Sequence, residues 1–377
     1  MNSVHRWSPF VARAIAVAAA LMATTYTGSA TSSDDQESSR NEAQSRGRFY
    51  AVHNLVSDGF VKADHLDTDL VNPWGVAFNP NGFDWVADNH SGVSTLYDGL
   101  GVKNSLIVSI PPAPGGTPPG APTGIVFSSG ADFVLTRGTL AGPSRFIFAT
   151  EDGTIVAWAP MVDGTHALLA WDNSPAHAIY KGLALAGNGS GHFLYATDFH
   201  NNKIDVYDST FQPVTLSGHF EDPRIPPKFA PFGIQNILGN LYVTYARQDD
   251  DAEDDVAGEG LGFVDVFDPN GHLIHRVATR GRLNAPWGLA LAPANFGRFS
   301  NMLLVGNFGD GRINAYDLAT SEFRGQLRTA HGEPVSIEGL WGIAFGNGLL
   351  NQPIDTLFFA AGPGDEEHGV YGRIDPL

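Results

Sequence analysis

Six positions recur at one place in a repeated pattern, and four of them carry oxygen donors of the kind that hold hard cations. Asp88, Glu151, Asp198, Tyr245, Asn307 and Ala361 each follow an apolar run and open a turn, as in DWVADNHSG, FIFATEDG, YATDFHNN and LLVGNFGDG. Carboxylates and an amide brought to one axis form a donor set that suits Ca2+. Such a metal would polarise a carbonyl and activate water. The metal expectation falls on Asp88, Glu151, Asp198 and Asn307. His90 and His200, two residues beyond Asp88 and Asp198, are the candidate general bases. The competing expectation is local. Asp or Asn at the start of a tight turn accepts backbone N–H bonds and holds that turn, with Lys203 and Arg312 as ionic partners.

The elements that must position these residues come from a repeat. NPWGVAF (72–78) recurs as APTGIVF (121–127), IYKGLAL (179–185), APFGIQN (230–236), APWGLAL (285–291) and GLWGIAF (339–345). Their shared glycines, Gly75, Gly124, Gly182, Gly233, Gly288 and Gly342, lie 49 to 58 residues apart. Each motif is followed by an apolar strand, a turn and an alternating strand that ends on an aromatic. A further strand such as SLIVSI (105–110), HLIHRVAT (272–279) or FRGQLRT (323–329) then follows. Period-two alternation bounded by Gly, Asn and Asp is the strand signal. Four antiparallel strands in about 55 residues make a propeller blade. The expected fold is all-β, a six-bladed β-propeller over 49–377. The sixth unit lacks its outer strand, and FYAVHNLV (49–56) is expected to supply it and close the ring. The glycines are expected where backbones approach closely near the axis.

In this architecture the WG motifs and the turns after the second strands surround one mouth of the channel. DDDAEDD (249–255), inside an insertion in the fourth blade, is either a solvated, loosely Ca2+-binding loop or a lid over that mouth. AGPGDEEHG (361–369) is the matching turn of the sixth blade, and together the two make this face negative. Trp74, Trp287 and Trp341 either line a ligand surface or pack between neighbouring sheets. No HExxH, GxSxG, Walker or Rossmann signature occurs.

Composition narrows the partners. Against 22 Lys and Arg stand 40 Asp and Glu, for a formal charge of −18, which disfavours nucleic acid and anionic membranes. The absence of cysteine excludes thiol catalysis, Cys-ligated zinc and disulfides. His5, Arg6 and Arg13, the apolar run Ala14–Ala23 and the small residues Gly28, Ser29 and Ala30 read as a cleavable signal peptide over 1–30. An uncleaved N-terminal anchor is the alternative. The polar stretch 31–48 reads as a disordered linker. The mature chain is expected to be a soluble monomer, secreted or periplasmic.

DFHNNKIDVYD (198–208) and NFGDGRINAYD (307–317) resemble the NHL-repeat string. The chain from NLVSDG (54–59) through NPWGVAF, FATEDGTI (148–155), YATDFHNNKIDVYD (195–208) and APFGIQN to AGPGDEEHG resembles a family of secreted bacterial proteins without an assigned activity, the TIGR03118 family. That resemblance implies an exported propeller and no particular chemistry. The ring of Asp, Glu and Asn also resembles six-bladed lactonases and related hydrolases, which implies a channel Ca2+. Two functions follow: an exported propeller that binds a small molecule or a protein on its acidic face, and a Ca2+-dependent hydrolase or lactonase.

Overall fold

A computed structural model describes residues 47–377, so the signal peptide assigned to 1–30 and all but the end of the 31–48 linker lie outside the described residues. The regular structure of the described chain is almost entirely strand, with only two three-residue 3-10 turns, Ser174–Ala176 and Gly297–Phe299. The strands form six blade sheets set in sequence around an axis, antiparallel but for the short parallel pairing of His65–Leu66 with Tyr50–Ser57. Blade one comprises Pro73–Phe78, Asp84–Asp88, Val93–Tyr97 and Val108–Ser109, from the axis outward. Blade two comprises Pro122–Phe127, Phe146–Thr150, Thr154–Trp158 and Leu168–Asp172, and carries an added hairpin, Val134–Arg137 with Leu140–Pro143. Blade four has Phe229–Ile237, Asn240–Arg247, Gly262–Phe267 and Leu273–Thr279. Blade five has Pro286–Leu291, Met302–Asn307, Ile313–Asp317 and Phe323–Gln326.

Blade three departs from the expected four strands. Its sheet stops at three, Tyr180–Gly187, His192–Asp198 and Lys203–Tyr207. The next segment contains Pro213, Pro223, Pro226 and Pro227. Proline has no N–H to give a ladder. Pairing there is reduced to the bridge between Tyr207 and Pro213 and one bond from Val214 N–H to the Val206 carbonyl.

The ring closes as expected. Blade six is Leu340–Phe345, Leu357–Ala361 and Val370–Pro376, and Tyr50–Ser57 pairs antiparallel with the last of these, from Tyr50 opposite Pro376 to Ser57 opposite Val370. Blade six is also joined to blade one by Tyr371, whose hydroxyl donates to the buried Asp84 at 2.9 Å. Burial pushes the Asp84 carboxyl up to about 8, so it is a neutral acid through most of the physiological range.

Apolar side chains from facing blades fill the spaces between sheets. Trp85 of blade one stacks on Phe146 of blade two at 3.9 Å, and Tyr50 of the closing strand packs on Phe296 of blade five at 4.9 Å. Near the axis the inner strands meet backbone to backbone. A Cβ on Gly233 would overlap the Trp287 carbonyl of the next blade, and one on Gly342 would lie 2.5 Å from the Trp74 carbonyl across the closure. The repeated glycine is therefore the residue that lets six inner strands converge.

Candidate functional site

The inner strands each send one side chain to the axis, from the position just before the shared glycine. In order these are Trp74, Thr123, Lys181, Phe232, Trp287 and Trp341. The tryptophans do not pack between sheets. Trp74 stacks on Trp341 at 3.5 Å, Trp287 meets both edge-on near 6 Å (6.0 and 5.8 Å), and Phe308 stacks on the other side of Trp341 at 4.0 Å. The tryptophans are buried and Phe308 half-buried, and together they plug the channel at the level of the mouth.

The second strands end at the same level, and alternation splits their last residues into two sets. Register places Asp88, Thr150, Asp198, Tyr245, Asn307 and Ala361 opposite the residue two before each shared glycine. In blade two that position is thus Thr150 and not Glu151, a one-residue correction to the alignment of the turns. Four of the polar members are held within their own blades, at or beside their turns. Asp88 Oδ2 accepts from the N–H and hydroxyl of Thr95 at 3.0 and 2.8 Å. Thr150 exchanges a 2.8 Å hydroxyl bond with Thr154. Asp198 accepts from the N–H of Ile179 and from the N–H and amide of Asn201, with Lys203 3.6 Å away. Asn307 donates to the Arg282 carbonyl and to Asp310 across the same turn. Burial pushes the carboxyls of Asp88 and Asp198 upward. Their neighbours one residue later, Asn89, Glu151, Phe199, Ala246, Phe308 and Gly362, share a second equivalence. In five blades their N–H bonds the residue two before the axis side chain, as Glu151 does to Ala121 and Phe308 to Ala285.

Of the four residues expected to ligate a metal, the fold thus brings Glu151 alone to the axis. Among the described residues no group of three or more His, Asp or Glu is arranged to hold a metal ion. His90 is exposed, with Nε2 3.4 Å from the Asn72 amide. His200 has a buried Nδ1 without a partner, and its ring lies 6.5 Å from that of His177.

Glu151 meets a lysine. Lys181 is 2% exposed, and its Nζ sits 2.5 Å from Glu151 Oε1 and 3.2 Å from Asp254 Oδ1. The ammonium also lies 5.2 Å from the centre of the Trp74 ring and 5.9 Å from that of Phe199. Burial would lower the lysine, but the two carboxylates outweigh it and raise its pKa. Burial would raise Glu151, and the Lys181 ammonium, helped by the Asn89 amide at 2.9 Å, brings it below the ordinary value instead. The pair is therefore ionised, and Lys181 cannot serve as a neutral amine nucleophile.

Asp254 belongs to the acidic insertion, which has defined structure over the mouth. Gln248 bridges to Asp255, its side-chain amide donates 2.6 Å to the Phe199 carbonyl, and Glu253 N–H caps Asp249. From blade six, Glu366 accepts 2.8 Å from Asn72, whose own carbonyl oxygen accepts from Trp341 Nε1 at 3.1 Å. Burial pushes both Asp255 and Glu366 up to about 7; Lys181 opposes this in each, while Asp254 adds to it. The mouth therefore holds one ammonium, up to four carboxylates, two of which titrate near neutrality, and the amides of Asn72 and Asn89. Two buried polar atoms here, Trp74 Nε1 and Asp255 Oδ2, have no partner. Lys181, Asn72 and Asn89 were missed in the sequence. Their signal was there, since lysine is the lone charge among W, T, K, F, W and W at the axis position.

No family model matches the sequence. It is 35% identical to the uncharacterized protein R648 of Acanthamoeba polyphaga mimivirus, over 86% of this chain and 80% of that one. With the uncharacterized protein L690 of the same virus the identity is 33%, over 86% and 85%. Among solved structures, a Bacteroides thetaiotaomicron protein of unknown function superposes with a TM-score of 0.55 at 11% identity, over 86% of this chain and 76% of that one. The soluble aldose sugar dehydrogenase of Escherichia coli superposes at 0.52 with 13% identity, over 87% and 100%. At such identity these two share the fold.

Proposed function

The chain belongs to the family of the mimivirus proteins R648 and L690, and we propose that it is an exported propeller that binds a small cationic or hydroxylated molecule at its acidic mouth, beneath the 249–255 loop. One observation carries this: the buried Lys181 ammonium held between Glu151 of the mouth and Asp254 of the loop. A lysine at the axis costs desolvation that an apolar residue, as in blades one, four, five and six, would avoid. With Asp255 and Glu366 ionised the cluster carries a net negative charge, which favours cations and neutral hydroxyl compounds over anions. The Asn72 and Asn89 amides and the unpartnered Trp74 Nε1 and Asp255 Oδ2 supply hydrogen-bonding groups beside an aromatic floor. Export is supported by the N-terminal sequence pattern and the resemblance to secreted bacterial proteins.

A Ca2+-dependent hydrolase draws less support. The Lys181 ammonium already supplies positive charge against Glu151, and a divalent ion beside it would be repelled.

A thermal-shift panel at pH 8 tests the proposal, with aliphatic diamines, amino sugars, monosaccharides, dicarboxylates and CaCl2 as separate arms. Amines or hydroxyl compounds should raise Tm, dicarboxylates should not, and the shifts should vanish in Asp255→Asn/Glu366→Gln. Shifts that persist in that variant, or none in the amine and hydroxyl arms, would overturn it. A CaCl2 shift alone, lost in Glu151→Gln, would replace it with the metal-centred function.

A further inference from the structure

On the outer edge of blade five, away from the axis, Arg282, Arg298, Arg312 and Arg328 line one cavity of about 330 Å³, together with Phe323 and Gln326. This is a strange place for positive charge to collect. The chain has 40 acidic residues against 22 basic ones. Other buried or half-buried cations are closely paired: Arg276 lies 2.6 and 2.7 Å from Asp222 and Asp265, and Lys103 lies 2.8 and 2.6 Å from Asp67 and Asp69. In the cavity the pairing is poor. Among the described residues Arg298 and Arg328 have no carboxylate within ion-pair distance. Arg298 stacks on the Phe299 ring, and Arg328 donates to the Gly332 carbonyl. Arg312 has a loose contact with Asp310 at 3.9 Å, and Arg282 an exposed one with Glu259 at 3.0 Å.

We propose that this cavity is a binding site for a ring-shaped polyanion, a sugar or polyol that carries more than one sulfate or phosphate ester. Like charges gathered in one cavity repel each other unless a counter-charge is supplied, and the protein supplies little. The guanidinium fork matches tetrahedral oxyanions through paired N–H donors. A monovalent anion would engage one or two of four arginines, whereas several esters on one ring engage them together. Phe323, 45% exposed at the wall, offers an apolar surface for the ring. At physiological ionic strength the repulsion from the acidic mouth is screened beyond about 8 Å, so the local arginines dominate. The cavity is thus selective for the charge that the mouth rejects, and the two sites are independent.

Calorimetric titration of the full domain in about 0.1 M NaCl distinguishes the two esters. Sucrose octasulfate and inositol hexakisphosphate are the probes, with sucrose and myo-inositol as neutral controls. At least one polyanion should bind with a stoichiometry of one, and whichever binds identifies the ester; the neutral rings should not bind. Arg298→Gln/Arg328→Gln should weaken binding about tenfold or more, a loss of about 1.4 kcal/mol or more. Both positions are exposed, and an unchanged Tm verifies the fold of the variant. Independently of any variant, raising NaCl to about 0.5 M should weaken wild-type binding severalfold. Binding of neither polyanion, wild-type affinity in the double variant, or affinity indifferent to salt would each overturn the proposal.

Discussion

Replacing Lys181 with Met keeps an aliphatic stem against Trp74 and Phe199 and removes the ammonium from between Glu151 and Asp254. Breaking a fully buried pair from one side costs about 3–5 kcal/mol. The Glu151 side chain retains 27% of its accessible surface, so water compensates part of the loss. Asp254, 77% accessible, adds almost nothing. The expected cost is therefore about 2–3 kcal/mol at neutral pH. With an unfolding entropy of roughly 0.7 kcal/mol per degree for a domain of this size, that is a fall in Tm of about 3–4 °C. The sign with pH follows from Glu151. In the wild type its carboxyl is held below the ordinary value, so its contribution is present above about pH 4.5 and fades as pH falls through the folded value. In Lys181→Met the same carboxyl is raised by burial, and its penalty grows as pH rises above about 4.5. The gap between the two proteins should be widest at pH 7.5 and should close toward pH 4. Thermal denaturation of the wild type, Lys181→Met, Glu151→Gln and the double variant at both pH values reads this out. The double variant should be more stable than Lys181→Met, since Gln leaves no unpaired charge. A Tm within error of wild type, a gap that ignores pH, or a double variant worse than either single would refute the assignment of Lys181 and Glu151 as a coupled ionised pair.

The loop over the mouth should respond to pH as well. Asp255 and Glu366 titrate near 7 when the mouth is closed and near ordinary carboxylate values when it opens, so the closed state binds more protons. Opening of 249–255, followed by hydrogen exchange corrected for intrinsic rates, should become easier from about pH 4.5 to about pH 7 and then level off, and Asp255→Asn should flatten the response. An opening equilibrium that is constant over that range would contradict it. At the axis, Gly233→Ala places a methyl group on the Trp287 carbonyl and should cost about 3 kcal/mol or abolish soluble expression. Gly164→Ala, with open space around its new Cβ, should leave Tm unchanged, and equal behaviour of the two would remove the close-approach explanation.

Much of the fold was legible because a propeller repeats its constraints. Six glycines mark where inner strands touch, and the shortened last unit points to the closing strand at Tyr50–Ser57. Blade three was less legible, since its missing strand depends on how the proline-rich segment 213–227 runs past its edge. The mouth was half legible. Repetition identified the turn position, yet a single-residue offset in blade two merged Glu151 with residues that hold turns, and in a strand one residue reverses the direction of a side chain. Lys181 stood in plain view in IYKGLAL, but what keeps it charged is first Glu151, 30 residues away in the neighbouring blade, and then Asp254, 73 residues away in an insertion outside the repeat. Long-range pairing of that kind leaves no periodic trace. The arginines around Phe323 escaped for the same reason, coming from a loop, a short 3-10 turn, a tight turn and the segment just after an outer strand.

The central claim is that the acidic mouth is the binding site, and a crystal structure with the most stabilising amine or hydroxyl compound tests it most directly. The expected density lies beside Lys181, within hydrogen-bond distance of Asp255 or Glu366 and beneath the 249–255 loop. The same compound bound elsewhere, with the Lys181, Glu151 and Asp254 contacts unchanged and the mouth empty, would contradict it.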